Sequence, residues 1–313
     1  MSAVADTVRS TSRTRSDGNA LSQDTGSRFL SRGVPAKIAH FAKRFDPNAP
    51  VLGRIGSLEV RLARSPLEVK AAQQLRYHVF YEEMSAQPSR VQQLTRRDKD
   101  GFDRYCDHLL VIDQARGGSI SERIVGTYRL MRDTGARLAG GFYTAHEFDI
   151  GPMLARHVGR RFLELGRSCV LEDYRGKRTV ELLWQGIWAY VIRHDIDVLF
   201  GCASIEGTEP GKIADSLAFL RDVASAPSEW RVRAHVDRGT FADETMQPTD
   251  PKRALAGLPP LLKGYLRLGG CIGEGAVVDK QFGTTDVLVV LPRERINPRY
   301  VNHYGTDAGR FAA

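Results

Sequence analysis

Between Phe162 and Cys202 the sequence reads as strand, loop, helix and strand, an order that commits the chain to an α/β fold. Phe162 to Leu171 is strand-like, and Asp173-Tyr174-Arg175-Gly176-Lys177-Arg178 forms a loop. Val180, Leu183, Trp184, Ile187, Tyr190 and Val191 then recur at the helical period and define one buried face. Val198 to Cys202 is a short apolar run suited to a buried strand. Upstream, Leu58 to Ala63 alternates as a strand, and Ser65, Pro66 and Glu68 supply a helix start ahead of Val69, Ala72, Leu75, Val79 and Phe80. Leu109 to Ile112 and Ile124 to Met131 read as an antiparallel hairpin with a long loop at Gly117-Gly118-Ser119. A further helix is predicted near Lys212 to Ala224, an irregular stretch from Ser225 to Leu258, and a last strand from Asp286 to Leu291.

Charge narrows the possible partners. The chain carries a net +8, but residues 1–45 hold eight Lys/Arg against three acids, so most of the excess belongs to the tail. A DNA-binding fold concentrates its basic groups on the folded surface, so no nucleic-acid partner is expected. Residues 1–27 have few large apolar groups and are expected to be disordered. From Arg28 to Phe45, Phe29, Leu30, Val34, Ile38 and Phe41 interleave with Arg and Lys, as either a basic helix on an anionic membrane or one packed on the domain. Residues 46–313 are then the folded domain. No stretch approaches the roughly 20 apolar residues that span a bilayer. Cys106, Cys169, Cys202 and Cys271 are far apart, which fits reduced thiols in the cytoplasm.

Several motifs, in order, resemble those of the GNAT-like acyltransferases. These are Arg76-Tyr77-His78-Val79-Phe80-Tyr81-Glu82-Glu83, Asp107-His108-Leu109-Leu110-Val111 and Val125-Gly126-Thr127-Tyr128-Arg129-Leu130. Glu164-Leu165-Gly166-Arg167-Ser168-Cys169-Val170, Tyr174-Arg175-Gly176 and Gly201-Cys202-Ala203-Ser204-Ile205-Glu206 follow, with Gly269-Gly270-Cys271-Ile272-Gly273-Glu274-Gly275 near the C-terminus. Among these enzymes the chain more closely resembles the branch shared by acyl-homoserine-lactone synthases and ornithine N-alpha-acyltransferases, over roughly Leu58 to Tyr300.

That resemblance implies a mixed sheet with flanking helices, in which two neighbouring parallel strands, here Phe162–Leu171 and Val198–Cys202, splay apart. The acyl-phosphopantetheine arm of an acyl carrier protein would lie in the opening. Its phosphate would fall at the start of the following helix, near Arg175, Gly176, Lys177 and Arg178. Only one glycine stands in this loop, which favours a carrier with a single phosphate over coenzyme A. An excess of seven Lys/Arg over three acids in residues 156–178 would steer an acidic carrier.

For the chemistry, Glu164 is the first choice of base, directly or through water. Strict strand alternation puts Glu164 and Arg167 on opposite faces unless a bulge re-aims one of them. Arg167 and Asp107 complete the candidate catalytic set. Arg129 or Arg167 would hold the acceptor's carboxylate, with Arg129 also a plausible mate for Asp107 or Glu164. Asp107, Glu82 or Glu206 would hold the side-chain ammonium of ornithine. Cys169 has no positioned histidine in local sequence and reads as a buried thiol. The histidines and cysteines lack metal-ligand spacing, so neither a metal nor a bound cofactor is expected. The expected activity is transfer of a 3-hydroxy fatty acyl group to the alpha-amine of L-ornithine, giving lyso-ornithine lipid and peripheral membrane contact. Another amino acid or a homoserine-lactone-type acceptor, or a non-catalytic module binding acyl carriers or membrane, is the alternative.

Overall fold

The computed structural model describes residues 45–240 and 250–300. The basic tail and its helix therefore lie outside the described residues, apart from Phe45. A single mixed sheet runs in the order β1 (Val51–Ile55), β2 (Leu58–Leu62), β3 (Asp107–Asp113), β4 (Ile124–Arg132), β5 (Phe162–Val170), β6 (Val198–Glu206), β10 (Thr284–Pro292), β9 (Ala276–Asp279) and β7 (Gly239–Thr240). A short β8 (Cys271–Ile272) also pairs with β10. Among these neighbours only β5 and β6 are parallel, because α2 (Lys177–Arg193) carries the chain back between them.

Alternation along the strands builds a core on each face. Leu109 and Val111 of β3 meet Leu182, Trp184 and Ile187 of α2. Leu110 and Ile112, pointing the other way, meet Val69, Ala72 and Leu75 of α1 (Pro66–Tyr77). Ser65 caps α1 as its sequence predicts, accepting the Glu68 N–H at 3.3 Å. On the α1 side of the sheet a further apolar cluster gathers Met131, Phe142, Phe162, Phe200 and Leu288. On the α2 side, α3 (Ala214–Ala224) and α4 (Pro260–Leu268) extend the main core. Gly186 lets α2 approach closely, since a Cβ there would lie 2.7 Å from Val60 Cγ2.

Several expectations need correction. β1 is an additional strand, joined to β2 through Gly56 at φ 62°. β6 runs to Glu206, past the apolar run, because β10 pairs with it along its whole length. Val180, assigned to the buried face of α2, is 40% exposed, and Leu182, Gly186 and Ala189 are buried instead. The stretch from Ser225 to Leu258 includes β7 and a helix over Pro251–Gly257, with residues 241–249 outside the described set.

Candidate active site

Strands β5 and β6 begin as neighbours and then part. Phe162, Leu163 and Glu164 pair with Val198, Leu199 and Phe200, and the ladder stops there although both strands continue. β4 pairs Arg129 with Gly166 but Thr127 with Cys169, so β5 carries one extra residue in a bulge. Arg167 sits in that bulge at φ 49°, in the left-handed region. At the branch point Gly201 lies under the Leu165 carbonyl, where an added Cβ would be 2.2 Å from the oxygen. The edges beyond, Leu165–Val170 and Gly201–Glu206, face a gap with no ladder between them. Replacing Gly201 with Ala must displace one backbone or the other, so a lower melting temperature and impaired transfer are expected in thermal scans and activity assays.

The bulge has a second effect, which is to bring Arg167 onto the same face as Glu164. There a buried polar seam runs between the apolar clusters. Arg76 Nε lies 2.8 Å from Asp98 Oδ2, and Arg76 Nη2 lies 2.8 Å from Asp103 Oδ1. Arg129 Nη1 is 2.6 Å from Asp100 Oδ2. Arg167 completes the set, 3.4 Å from Asp98 and 3.6 Å from Asp100, with its guanidinium between the rings of Tyr143 and Phe282. Burial alone would raise Asp103, but Arg76, then His108 and Arg129, hold its carboxyl well below the usual carboxylate range. Side-chain exposure separates the three arginines, at 0% for Arg76, 4% for Arg129 and 16% for Arg167, so Arg167 is the one that reaches the opening.

A family model described as an acetyltransferase (GNAT) domain matches residues 75–185. An L-ornithine N(alpha)-acyltransferase from Rhizobium meliloti is 52% identical over 93% of this chain and 95% of its own length. The chain belongs to the L-ornithine N(alpha)-acyltransferase family. Relatives of the same name from Brucella abortus (52% identity, 89% of this chain, 99% of that one) and Rhodobacter capsulatus (40%, 79%, 95%) agree. The family is one of acyltransferase enzymes with the GNAT-like fold.

Within this member of the family the residues singled out from sequence fall into three groups. Glu164 and Arg167 converge at the gap, but Glu164 is engaged, its two oxygens accepting the N–H groups of Tyr143 at 3.0 Å and Thr144 at 2.6 Å. It fixes the short turn Tyr143–His146, and so holds Tyr143 beside Arg167. Arg129 is close by, yet it is paired with Asp100 and Asp103 and not with Asp107 or Glu164. Asp107 is elsewhere, on the α2 face, bonded to Arg132 and Tyr190. Glu82 pairs with His78 and Arg96 in a π-helical turn that continues α1. Glu206 is exposed at the far end of β6.

At the start of α2, Gly176 is the N-cap and no side chain caps the first turn, which leaves its N–H groups open to an anion. Lys177 and Arg178 are exposed there, whereas Arg175 is tied to the Val170 carbonyl and to Glu83. The basic excess of residues 156–178 is not one patch. Arg160 and Arg161 pair with Glu294 and Asp195 near the other end of β5 and α2, separated from Lys177 by the length of the strand.

Three residues that sequence reasoning missed share the α1-side face with Arg167. Glu147, Cys202 and Asp286 place one ligand-type atom each within 4.8 Å of the others. Asp286 had a signal, as the one acid in an apolar strand; Glu147, in Ala145-His146-Glu147-Phe148, had none. Cys169 is buried and free, and burial pushes its thiol up to about 12. A thiol held protonated by burial is a weak nucleophile, and Cys169→Ala is expected to keep most of the transfer rate in a steady-state assay.

Proposed function

We propose that the protein transfers a fatty acyl group, a 3-hydroxyacyl chain as the family resemblance implies, from an acyl carrier protein to the alpha-amine of L-ornithine, giving lyso-ornithine lipid. The observation that carries this is the parting of β5 and β6 after Glu164 and Phe200, beside an open helix N-terminus. The pantetheine arm lies in the gap and pairs with the free edge of β5, while its phosphate meets the first turn of α2 and Lys177 and Arg178. Gly176 is the sole glycine of that turn, which suits one phosphate better than a pyrophosphate. A cleft on the β10 side of the sheet has Leu217, Leu220, Ile272 and Val287 on its apolar wall, and Arg221, Arg231, Arg233 and Glu274 also line it. Val287 lies opposite Ala203, on the parted half of β6.

The amine arrives neutral, having lost a proton to solvent, and its lone pair attacks the thioester carbon. Backbone N–H groups of β5 receive the oxyanion. The intermediate collapses, the C–S bond breaks, and the second amine proton leaves on the thiol. Arg167 anchors the acceptor's carboxylate by a charge-assisted fork, and Glu164 acts as a positioning residue through the Tyr143–His146 turn. The product, with one acyl chain and a charged head, is an amphiphile, and peripheral contact with an anionic membrane fits its release. Among the described residues no helix is long and apolar enough to cross a membrane.

Purified protein given ornithine and matched acyl-carrier and acyl-coenzyme A donors tests the proposal, with products followed by mass spectrometry. An ornithine-dependent N-acyl product formed faster from the carrier is expected. Faster transfer from coenzyme A overturns the donor, and no acylated ornithine from either overturns the acceptor.

A further inference from the structure

The three arginines and three aspartates of the seam balance one another, and Glu164 is satisfied by backbone N–H groups. Two acids on the same face remain uncompensated. Glu147 is 4% and Asp286 7% exposed, and neither forms an ion pair with any Lys, Arg or His among the described residues. Glu147 Oε2 accepts the Cys202 thiol at 3.2 Å, and its other oxygen has no protein partner among those residues. Asp286 accepts the hydroxyl of Thr284 at 3.0 Å, and the Ser204 hydroxyl across the ladder also favours its charged form. Two carboxylates buried together without a paired cation are costly to keep ionised, and either protonation or a bound cation relieves them.

The pair lies beside the opening. Cys202 lies two positions past the last β5–β6 pairing, and Ser204 and Glu206, next on its face, are exposed. Asp286 stands directly opposite Ser204 across the β6–β10 ladder. Arg167 acts on Asp286 electrostatically without pairing to it, which puts a cation and an acidic pair on one face beside the gap.

We infer that Glu147 and Asp286, with the Cys202 thiol between them, bind the side-chain ammonium of the acceptor and thereby select an amino acid with a second amine. This rests on the amino-acid acceptor proposed above. An alkylammonium has three N–H donors and no acceptor, matching a cluster of two carboxylates and a sulfur. With the carboxylate held by Arg167 at one end and the ammonium at the other, the alpha-amine is left free to meet the thioester. A divalent cation would draw on the same donors, so the test must separate the two.

The protonation of Glu147 supplies a signature. Burial, then the Asp286 carboxylate, push it up to about 7; Cys202, Asp279 and Arg238 are the other groups that act on it. Below that pH it is neutral and attracts an ammonium less. The acceptor's alpha-amine, with a pKa of roughly 8 or more, already imposes a slope of one on log kcat/KM. A slope of two is therefore expected for ornithine below about pH 7, and of one for norvaline, the same carbon chain lacking the terminal amine.

The experiment uses the full chain, an acyl-thioester donor, and ornithine and norvaline as acceptors for wild type, Glu147→Gln and Asp286→Asn. Wild type is expected to prefer ornithine by about 100-fold or more in kcat/KM. Each variant should lose about 100-fold on ornithine, mostly in KM, stay within about threefold on norvaline, and melt no lower than wild type. Glu147→Gln should also flatten the acid limb to a slope of one. Equal losses on both acceptors, a wild type indifferent to the terminal amine, or loss on chelation with recovery on adding zinc each overturn the subsite. Variants that retain the ornithine preference overturn the subsite alone, whereas a wild type that acylates neither amino acid overturns the acceptor reading itself.

Discussion

Arg76→Ala is expected to cost about 3–5 kcal/mol of folding stability, the range for removing one partner of a buried ion pair. The Arg76 side chain is fully buried, and its guanidinium meets Asp98 and Asp103 while one of its nitrogens also donates to the Asp98 carbonyl at 2.6 Å. Alanine would leave a cavity and two buried aspartates that have lost their shared guanidinium, with Arg129 and Gln73 still on Asp103 and Arg167 and Tyr81 still on Asp98. Urea unfolding followed by circular dichroism measures the loss directly. Arg76→Lys should recover only part of it, because one ammonium cannot span both carboxylates as the planar fork does. Retention of wild-type stability by Arg76→Ala would mean that the seam does not hold α1 to the segment carrying Asp98 and Asp103.

Arg167→Ala is the counterpart in activity, with a fall in kcat/KM of about 100-fold or more, as follows when a positioning charge leaves a site. The loss of stability should be smaller than for Arg76, because Arg167 is partly open to solvent and its ion pairs, at 3.4 and 3.6 Å, are longer. Arg167→Lys is expected to restore little, since lysine supplies neither the fork nor the flat face that lies between Tyr143 and Phe282. The effect should fall mainly on the KM for the amino acid, with donor saturation little changed. A reversed pattern would place Arg167 at the thioester and not at the acceptor.

The parts of this architecture set by local periodicity are readable in the sequence. The Ser65 cap, the hairpin strands around Gly117-Gly118 and the β5–α2–β6 unit all follow from alternation, capping residues and one amphipathic helix. β1 is not so readable, because Val51-Leu52-Gly53-Arg54-Ile55 lacks strict alternation and gains its strand character from pairing with β2. The same holds for the second half of β6, where pairing with β10 extends the strand past its apolar run.

The site is legible in its scaffold and much less in its partners. A bulge was needed to put Glu164 and Arg167 on one face, and the ladder with β4 contains it. The mates of the arginines were out of reach, because Arg76 finds Asp98 and Asp103 at sequence separations of 22 and 27 residues, and Arg129 finds Asp100 at 29. Asp98-Lys99-Asp100 reads as a solvated charged loop, and only tertiary packing turns it into the buried counter-charge of three arginines. Glu147 and Asp286 come from a turn and an antiparallel strand far apart in the chain, and no spacing rule links them.

Hydrogen exchange of the backbone amides, with and without a non-hydrolysable acyl-pantetheine analogue, measures most directly whether the gap holds the donor. Binding should slow exchange in Leu165–Val170 and at the first turn of α2, and leave Phe162–Glu164, already paired to β6, unchanged. Protection confined to other surfaces, with the parted edges exchanging as fast as in the free protein, would contradict the assignment of the β5–β6 opening as the acyl-donor site.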